Sequence, residues 1–347
     1  MEQEKMNWKE MSIGLCLVAL LAWFTFHVLL SDHSAQTLGS TFMRADIRFV
    51  SVGFACMFLF VNCEAANIRL LMRTFGKKVP YWRSLSYAFT DFYFSAITPS
   101  ATGGQPMQLY YMVRDGFGAA HSSFSLLATA AVYQMTVLVY GCVMVGANLS
   151  FVMGQGRIMR LLLTFGVLVN GFCSGLILLI ILNGLLAEKT MLCIVGGLSR
   201  AGIIKNRKRA VQKVEGLIDE YSRGGAYLRQ YPLVVVRMFI HGAVQLTALY
   251  LVPYWACRAL GISAAIEDFL ALQAILSLAV TAVPLPGSVG ASEGSFLALY
   301  RTLLGAGQSF SVMLLSRGIS FYAMLCISGL VTAFLQFARR GKSASPV

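Results

Sequence analysis

Long apolar runs separated by short polar links dominate the chain. Stretches at about 11–31, 48–72, 123–149, 159–184, 231–256 and 308–338 are each long enough to cross a bilayer as a helix, which takes about 20 apolar residues. Two more, 84–112 and 264–305, are just as apolar but are broken by Pro and Gly. The pattern predicts an all-α polytopic membrane protein with about six full spans plus two broken, re-entrant helical hairpins. The run from Met11 to Leu30 follows a mixed-charge start (Glu2, Glu4, Lys5, Lys9, Glu10), and no small-x-small cleavage site follows it closely. It is expected to stay as the first helix and not to be removed as a signal peptide.

The polar links then orient the spans. Arg69, Arg73, Lys77, Lys78 and Arg83 crowd the link at 69–83, nine Lys and Arg lie in 188–230, and Arg339, Arg340 and Lys342 mark the tail, whereas the link at 32–46 holds only Arg44. The positive-inside rule puts the three basic stretches, and both termini, in the cytoplasm. Parity follows. Each broken stretch lies where an even number of crossings is needed, 84–112 starting from the cytoplasmic side and 264–305 from the outer side. Two Pro/Gly-broken segments of opposite orientation are the signature of an inverted-repeat transporter core; the plainer reading is a pair of kinked helices.

The breaks also resemble each other. Ala96-Ile-Thr-Pro-Ser-Ala-Thr-Gly-Gly-Gln-Pro106 and Ala282-Val-Pro-Leu-Pro-Gly-Ser-Val-Gly-Ala-Ser-Glu-Gly294 both contain Pro-x-x-x-Gly (Pro99 to Gly103, Pro286 to Gly290), and each leads into an apolar segment that reaches a tyrosine, Tyr110 or Tyr300. Non-helical backbone at membrane depth survives only where protein buries it or it lines a wet cavity. The loops are therefore expected to line a cavity, with the amides of the two half-helix starts turned towards an anion such as a lipid phosphate.

Composition agrees with a membrane solvent. Of the 347 residues, 57% are hydrophobic and 12% charged, about half the charged share of a soluble domain, and mean hydropathy is +0.69. A soluble enzyme is excluded. The net charge of +13 falls mostly in the basic links, so it reads as topology and lipid contact and not as nucleic-acid binding. Eight scattered cysteines and four scattered histidines offer no metal-ligand spacing. No metal or cofactor is expected, and neither a hydrolase triad order nor a P-loop occurs. The link at 188–230 reads as a basic amphipathic helix through Val211, Val214, Leu217, Ile218 and Tyr221, and Trp8, Trp82 and Trp255 read as interface anchors.

Ionisable residues within spans are functional candidates by default. They are Glu64, Asp91, Arg237, Glu293, Arg301 and Arg317, with His241 one turn beyond Arg237. Glu293 and Arg317 lead. Glu293 is free to pair with a substrate cation or a protein arginine, or to serve only as a helix-start acid; Glu64 and Asp91 come next.

Thr98-Pro-Ser-Ala-Thr-Gly-Gly-Gln-Pro106, Pro284-Leu-Pro-Gly-Ser-Val-Gly-Ala-Ser-Glu-Gly294 and Leu315-Ser-Arg-Gly-Ile-Ser-Phe321 resemble the lysylphosphatidylglycerol synthase transmembrane-region family over nearly the whole chain. That family is the flippase-like domain found at the N-terminus of multiple peptide resistance factors and in stand-alone membrane proteins. The resemblance implies a bacterial plasma-membrane protein that moves aminoacylated phosphatidylglycerol, or a related phospholipid, between leaflets, which protects against cationic antimicrobial peptides. It carries a cavity-lining, substrate-binding role onto Pro99, Gly103, Gly104, Gln105, Pro286, Gly287, Gly290, Glu293 and Arg317, beside Asp91 and Glu64. The chain departs from the family pattern at Gln105, where many members have Glu, and at Tyr133-Gln134, where they have an acidic-Arg pair. The soluble acyltransferase domain of bifunctional members is absent, so lysyl transfer by this chain alone is not expected. Two rivals stand beside the flippase: a membrane transferase using Asp91, Glu64 or Glu293 as base, and a docking partner that holds a separate synthetase through the basic link. A homo-oligomer is also open.

Overall fold

The computed structural model describes residues 45–98, 101–154, 156–182, 230–280 and 290–340, with scattered single positions between 189 and 211. The predicted first span, most of the basic link, and Pro99, Pro286 and Gly287 lie outside the described residues. In chain order the helices are α1 (Ile47–Thr74), α2 (Tyr81–Ile97), α3 (Gly104–Arg114), α4 (Ala119–Ala147), α5 (Leu149–Gly154), α6 (Arg157–Leu182), α7 (Pro232–Ala259), α8 (Ile266–Val280), α9 (Ala291–Leu304), α10 (Ala306–Arg317) and α11 (Met324–Arg340). A six-residue π-helical segment, Gly318–Ala323, joins α10 to α11 without a break. There is no strand among the described residues, and four helical stretches are long and apolar enough to cross a membrane: Ile47–Thr74, Ala119–Ala147, Pro232–Ala259 and Ala306–Gln336. The protein is an all-α, multi-pass membrane protein.

Local chemistry sets the helix ends. Asp46 caps α1 by accepting the Arg48 amide at 2.9 Å, as a short acidic side chain does at a helix start. The other end of α1 stops at Gly76, whose φ of +70° closes the helix while the Lys77 amide returns to the Met72 carbonyl at 3.0 Å. Pro232 opens α7 at a position where its missing amide costs nothing.

α1 and α7 pack antiparallel. The Asp46 amide donates to the Ala259 carbonyl at 2.9 Å at one end, and His241 Nδ1 and Asn67 Oδ1 hydrogen-bond at 2.8 Å farther along. The Asp46 end of the bundle is called upper here and the Gly76 end lower. α2 rises from the lower end and α3 returns to it, where Tyr111 donates to Gln336 Oε1 of α11 at 3.0 Å. α8 descends from the upper end and α9 returns to it. Gln273 Nε2 donates to the Tyr300 hydroxyl at 3.1 Å, and Phe269 lies 5.4 Å from the Tyr300 ring. The two hairpins therefore enter from opposite ends of the bundle, the arrangement that the parity argument expects.

The surface chemistry matches a bilayer. Leu161, Phe165, Leu168 and Phe172 form an exposed stripe along α6, and Leu233, Val236, Ile240 and Val244 form another along α7. Stripes of this kind would be an aggregation hazard in water, but in hydrocarbon they are the solvated face. Inside, two apolar clusters hold the hairpins. One gathers Phe269, Leu278, Phe296, Tyr300 and Phe310 around α8–α10. The other gathers Met57, Val61, Ala88, Phe89, Val252 and Ile319 where α1, α2 and α7 meet the π segment.

One close approach seats the second hairpin. A Cβ on Gly166 of α6 would collide with the Leu278 carbonyl of α8, so only glycine lets these helices touch at that depth. Gly166→Leu is expected to push α6 off α8 and destabilise the fold by about 1–3 kcal/mol. The check is a lowered Tm of the purified protein in detergent, against an unchanged or higher Tm for Gly171→Leu, whose Cβ would meet open space.

Candidate functional site

The first hairpin bends at residues 98–103. The Thr98 hydroxyl accepts the Gly103 amide at 2.9 Å and donates to the Phe94 carbonyl at 2.6 Å. Ala101 takes a left-handed φ of +54° to make the turn, a conformation that costs a non-glycine residue about 1 kcal/mol or more. α3 then starts at Gly104. A Cβ here would strike the Asp91 carboxylate and the Ser95 hydroxyl of α2, so glycine at this position lets the helix start close over Asp91. The free amides and positive dipole end of a helix start favour a carboxylate. One turn into α3, Gln108 Nε2 donates to Glu64 Oε1 of α1 at 2.5 Å and to the Tyr87 carbonyl at 3.2 Å.

Beside this bend lies a cavity of about 370 Å³. Its carboxyl groups are Glu64 and Asp91; its neutral polar groups come from Ser95, Gln105, Gln108, Thr129, Tyr133 and Gln245; and Phe60, Phe92 and Phe321 are among its apolar walls. No Lys, Arg or His is among the described lining residues. Asp91 accepts no hydrogen bond from the described residues, and Gln245, only 4% exposed, also finds no hydrogen-bond partner among them. The site is a pocket of oxygen and amide groups with acidic character, open to a cation.

The second hairpin is built differently. Gly290 precedes α9 with a φ of +88°, open to glycine without strain, and its amide donates to Glu293 Oε2 at 2.7 Å. Glu293 is fully buried, and its other oxygen accepts from Arg317 Nε at 2.8 Å. The Arg317 guanidinium carbon stands 4.6 Å above the Phe321 ring, the ring that also walls the cavity. Glu293 thus caps its own helix and neutralises Arg317, so the amide offered to a phosphate by the sequence pattern is already taken by a protein carboxylate.

Of the residues singled out from the sequence, the structure brings Glu64, Asp91 and Gln105 into one cavity, with Gly103 and Gly104 forming the turn beside it. Gly290, Glu293 and Arg317 form a separate cluster behind Phe321. Arg237 and Arg301 are exposed. Gln108, Gln245 and Thr129 also line the cavity but carry no charge, so the presence of ionisable groups in spans does not point to them. An amide in an apolar run is the signal that finds them, since it too needs a partner inside the membrane.

These features define a multi-pass membrane protein with two opposed broken hairpins and an acidic internal cavity. The chain matches the family described as the lysylphosphatidylglycerol synthase TM region over residues 11–328, and it belongs to that family. It is also similar to a UPF0104 membrane protein of Archaeoglobus fulgidus, 25% identical over 276 residues that cover 75% of this chain and 78% of the relative.

Removing Glu293 tests the second cluster. Glu293→Ala leaves Arg317 inside the protein without its counter-charge, and the expected loss is on the order of 3–5 kcal/mol. Thermal unfolding in detergent should show a large drop in Tm that Glu293→Ala combined with Arg317→Met largely restores.

Proposed function

We propose that the protein is a lipid transporter of a bacterial plasma membrane, with both termini cytoplasmic, and that it moves a phospholipid with an amine-bearing headgroup, such as an aminoacylated phosphatidylglycerol, between leaflets. The cavity beside the first hairpin carries this reading: two carboxyls and several uncharged polar groups, with no cationic side chain among its described lining residues. In this reading the headgroup amine rests between Glu64 and Asp91 while the acyl chains stay among the exposed apolar stripes. Charge neutralisation in the cavity lowers the cost of taking the headgroup through hydrocarbon. Gln105, Gly103 and Gly104 shape the mouth of the site. Gly290, Glu293 and Arg317 hold the start of the returning helix in the opposing hairpin; Pro286 and Gly287 of the same motif lie outside the described residues. Removing a cationic lipid from the inner leaflet and presenting it outside would weaken attraction of cationic peptides to the cell surface, and membership of the family supports a lipid-related role.

The test is reconstitution. Purified protein in liposomes should speed movement of a fluorescent aminoacyl-phosphatidylglycerol between leaflets, and Glu64→Gln and Asp91→Asn should each slow it by about tenfold or more. Unchanged rates in both variants, with their folding intact, would sink the cavity assignment. Mass spectrometry of the same lipids should find them chemically unaltered. A new lipid species would favour a transferase instead.

A further inference from the structure

The acidic cavity makes a demand on both directions of a transport cycle. Two carboxyls within the protein interior are costly to leave without positive charge nearby, and the headgroup amine satisfies them on one leg only. Among the described residues Glu64 has one amide donor, Gln108, and Asp91 has none. Gln245 adds an unpartnered amide in a side chain 4% exposed, and its carbonyl oxygen, with the hydroxyls of Ser95 and Thr129, completes a set of hard oxygen ligands around the cavity. Oxygen ligands of this type suit a small hard cation.

Among the described residues, none that lines the cavity supplies a positive charge; on α1, Arg69 lies over the Tyr81 ring, and on α7, Arg237 is exposed. α4 presents Tyr133. On α7, His241 lies one turn from Gln245 and is bound to Asn67. Tyr111 of α3 is turned to Gln336. Arg317 stands behind Phe321 and is bound to Glu293. α11 carries no charged residue from Met324 to Gln336.

We infer that the cavity exchanges one cation for another: the headgroup amine leaves it only as a proton or a sodium ion enters, so lipid movement is coupled to the return of a monovalent cation. This rests on the lipid-transport reading above. The exchange is reciprocal, because both cations use the same carboxyls and a ligand that excludes another is excluded by it to the same degree.

The experiment uses the full chain in liposomes. Labelled aminoacyl-phosphatidylglycerol is followed under a tenfold sodium gradient at equal pH, and separately under a tenfold proton gradient without sodium. A tenfold gradient supplies about 1.4 kcal/mol per cation, enough to bias the lipid distribution up to about tenfold. One of the two gradients should drive lipid accumulation in one leaflet, reversing when the gradient is reversed; which one does so identifies the ion. In parallel, ²²Na⁺ binding and proton release are measured on purified protein as a short-chain aminolipid is added, with expected displacement of about one cation per amine. Gln245→Leu should weaken the ion about tenfold, and Gln245→Asn should weaken it less, while both keep the wild-type Tm. Lipid movement that ignores both gradients, with no cation displaced, overturns the exchange and leaves the transport reading intact. Cation binding that aminolipid displaces, without any lipid movement, overturns transport and the coupled cycle with it.

Discussion

A helix that stops partway through a membrane leaves backbone amides with no water to bond to, and the need to satisfy them internally governs this structure. At the first break a threonine hydroxyl accepts the Gly103 amide, and Asp91 lies against the start of the returning helix. At the second, Glu293 accepts the Gly290 amide. Acidic side chains therefore sit at both helix starts, and each then makes a demand of its own. Glu293 requires Arg317, and Arg317 rests on Phe321. Asp91 has no such cation among the described residues, and the space beside it is a cavity. One backbone constraint met in two ways yields a closed structural cluster in one hairpin and an open polar site in the other.

That asymmetry changes how the family's chemistry is read in this chain. Opposed half-helices suggest a shared anion site at the meeting of two dipoles. Here the described lining is acidic and uncharged polar, and the half-buried Arg317 of the second hairpin's cluster is already paired with Glu293. In the proposed lipid-transport reading, the positive end of a headgroup has more to gain in this cavity than its phosphate does.

The architecture was legible in the residues to a large degree, because apolar length and cation placement are local properties. Counting crossings between basic links was enough to orient 84–112 and 264–305 oppositely. The partnership of Glu293 with Arg317 was among the options their positions allowed. What the residues could not display was which carboxylate meets which helix start, since Asp91 reaches Gly104, and Glu64 reaches Gln108, only once α1, α2 and α3 have packed. Gln245 illustrates the same limit from another side: on α7 it is one polar residue in an apolar run, and its importance comes from the neighbours that α1 and α4 bring to it.

The π-helical segment between α10 and α11 has a further consequence. Each α-helical residue turns the chain by about 100°, and a wider turn resets the facing of everything after it. Beyond Gly318–Ala323 the reset leaves Ser328 and Thr332 buried and points Ile327, Leu330 and Phe334 outward. Winding the same residues as plain α-helix would turn the helix that follows by about 100°, carrying this greasy stripe towards the bundle and the hydroxyls out towards the acyl chains. The segment acts as an angular spacer, and its length is held by the fit of the helix that follows it.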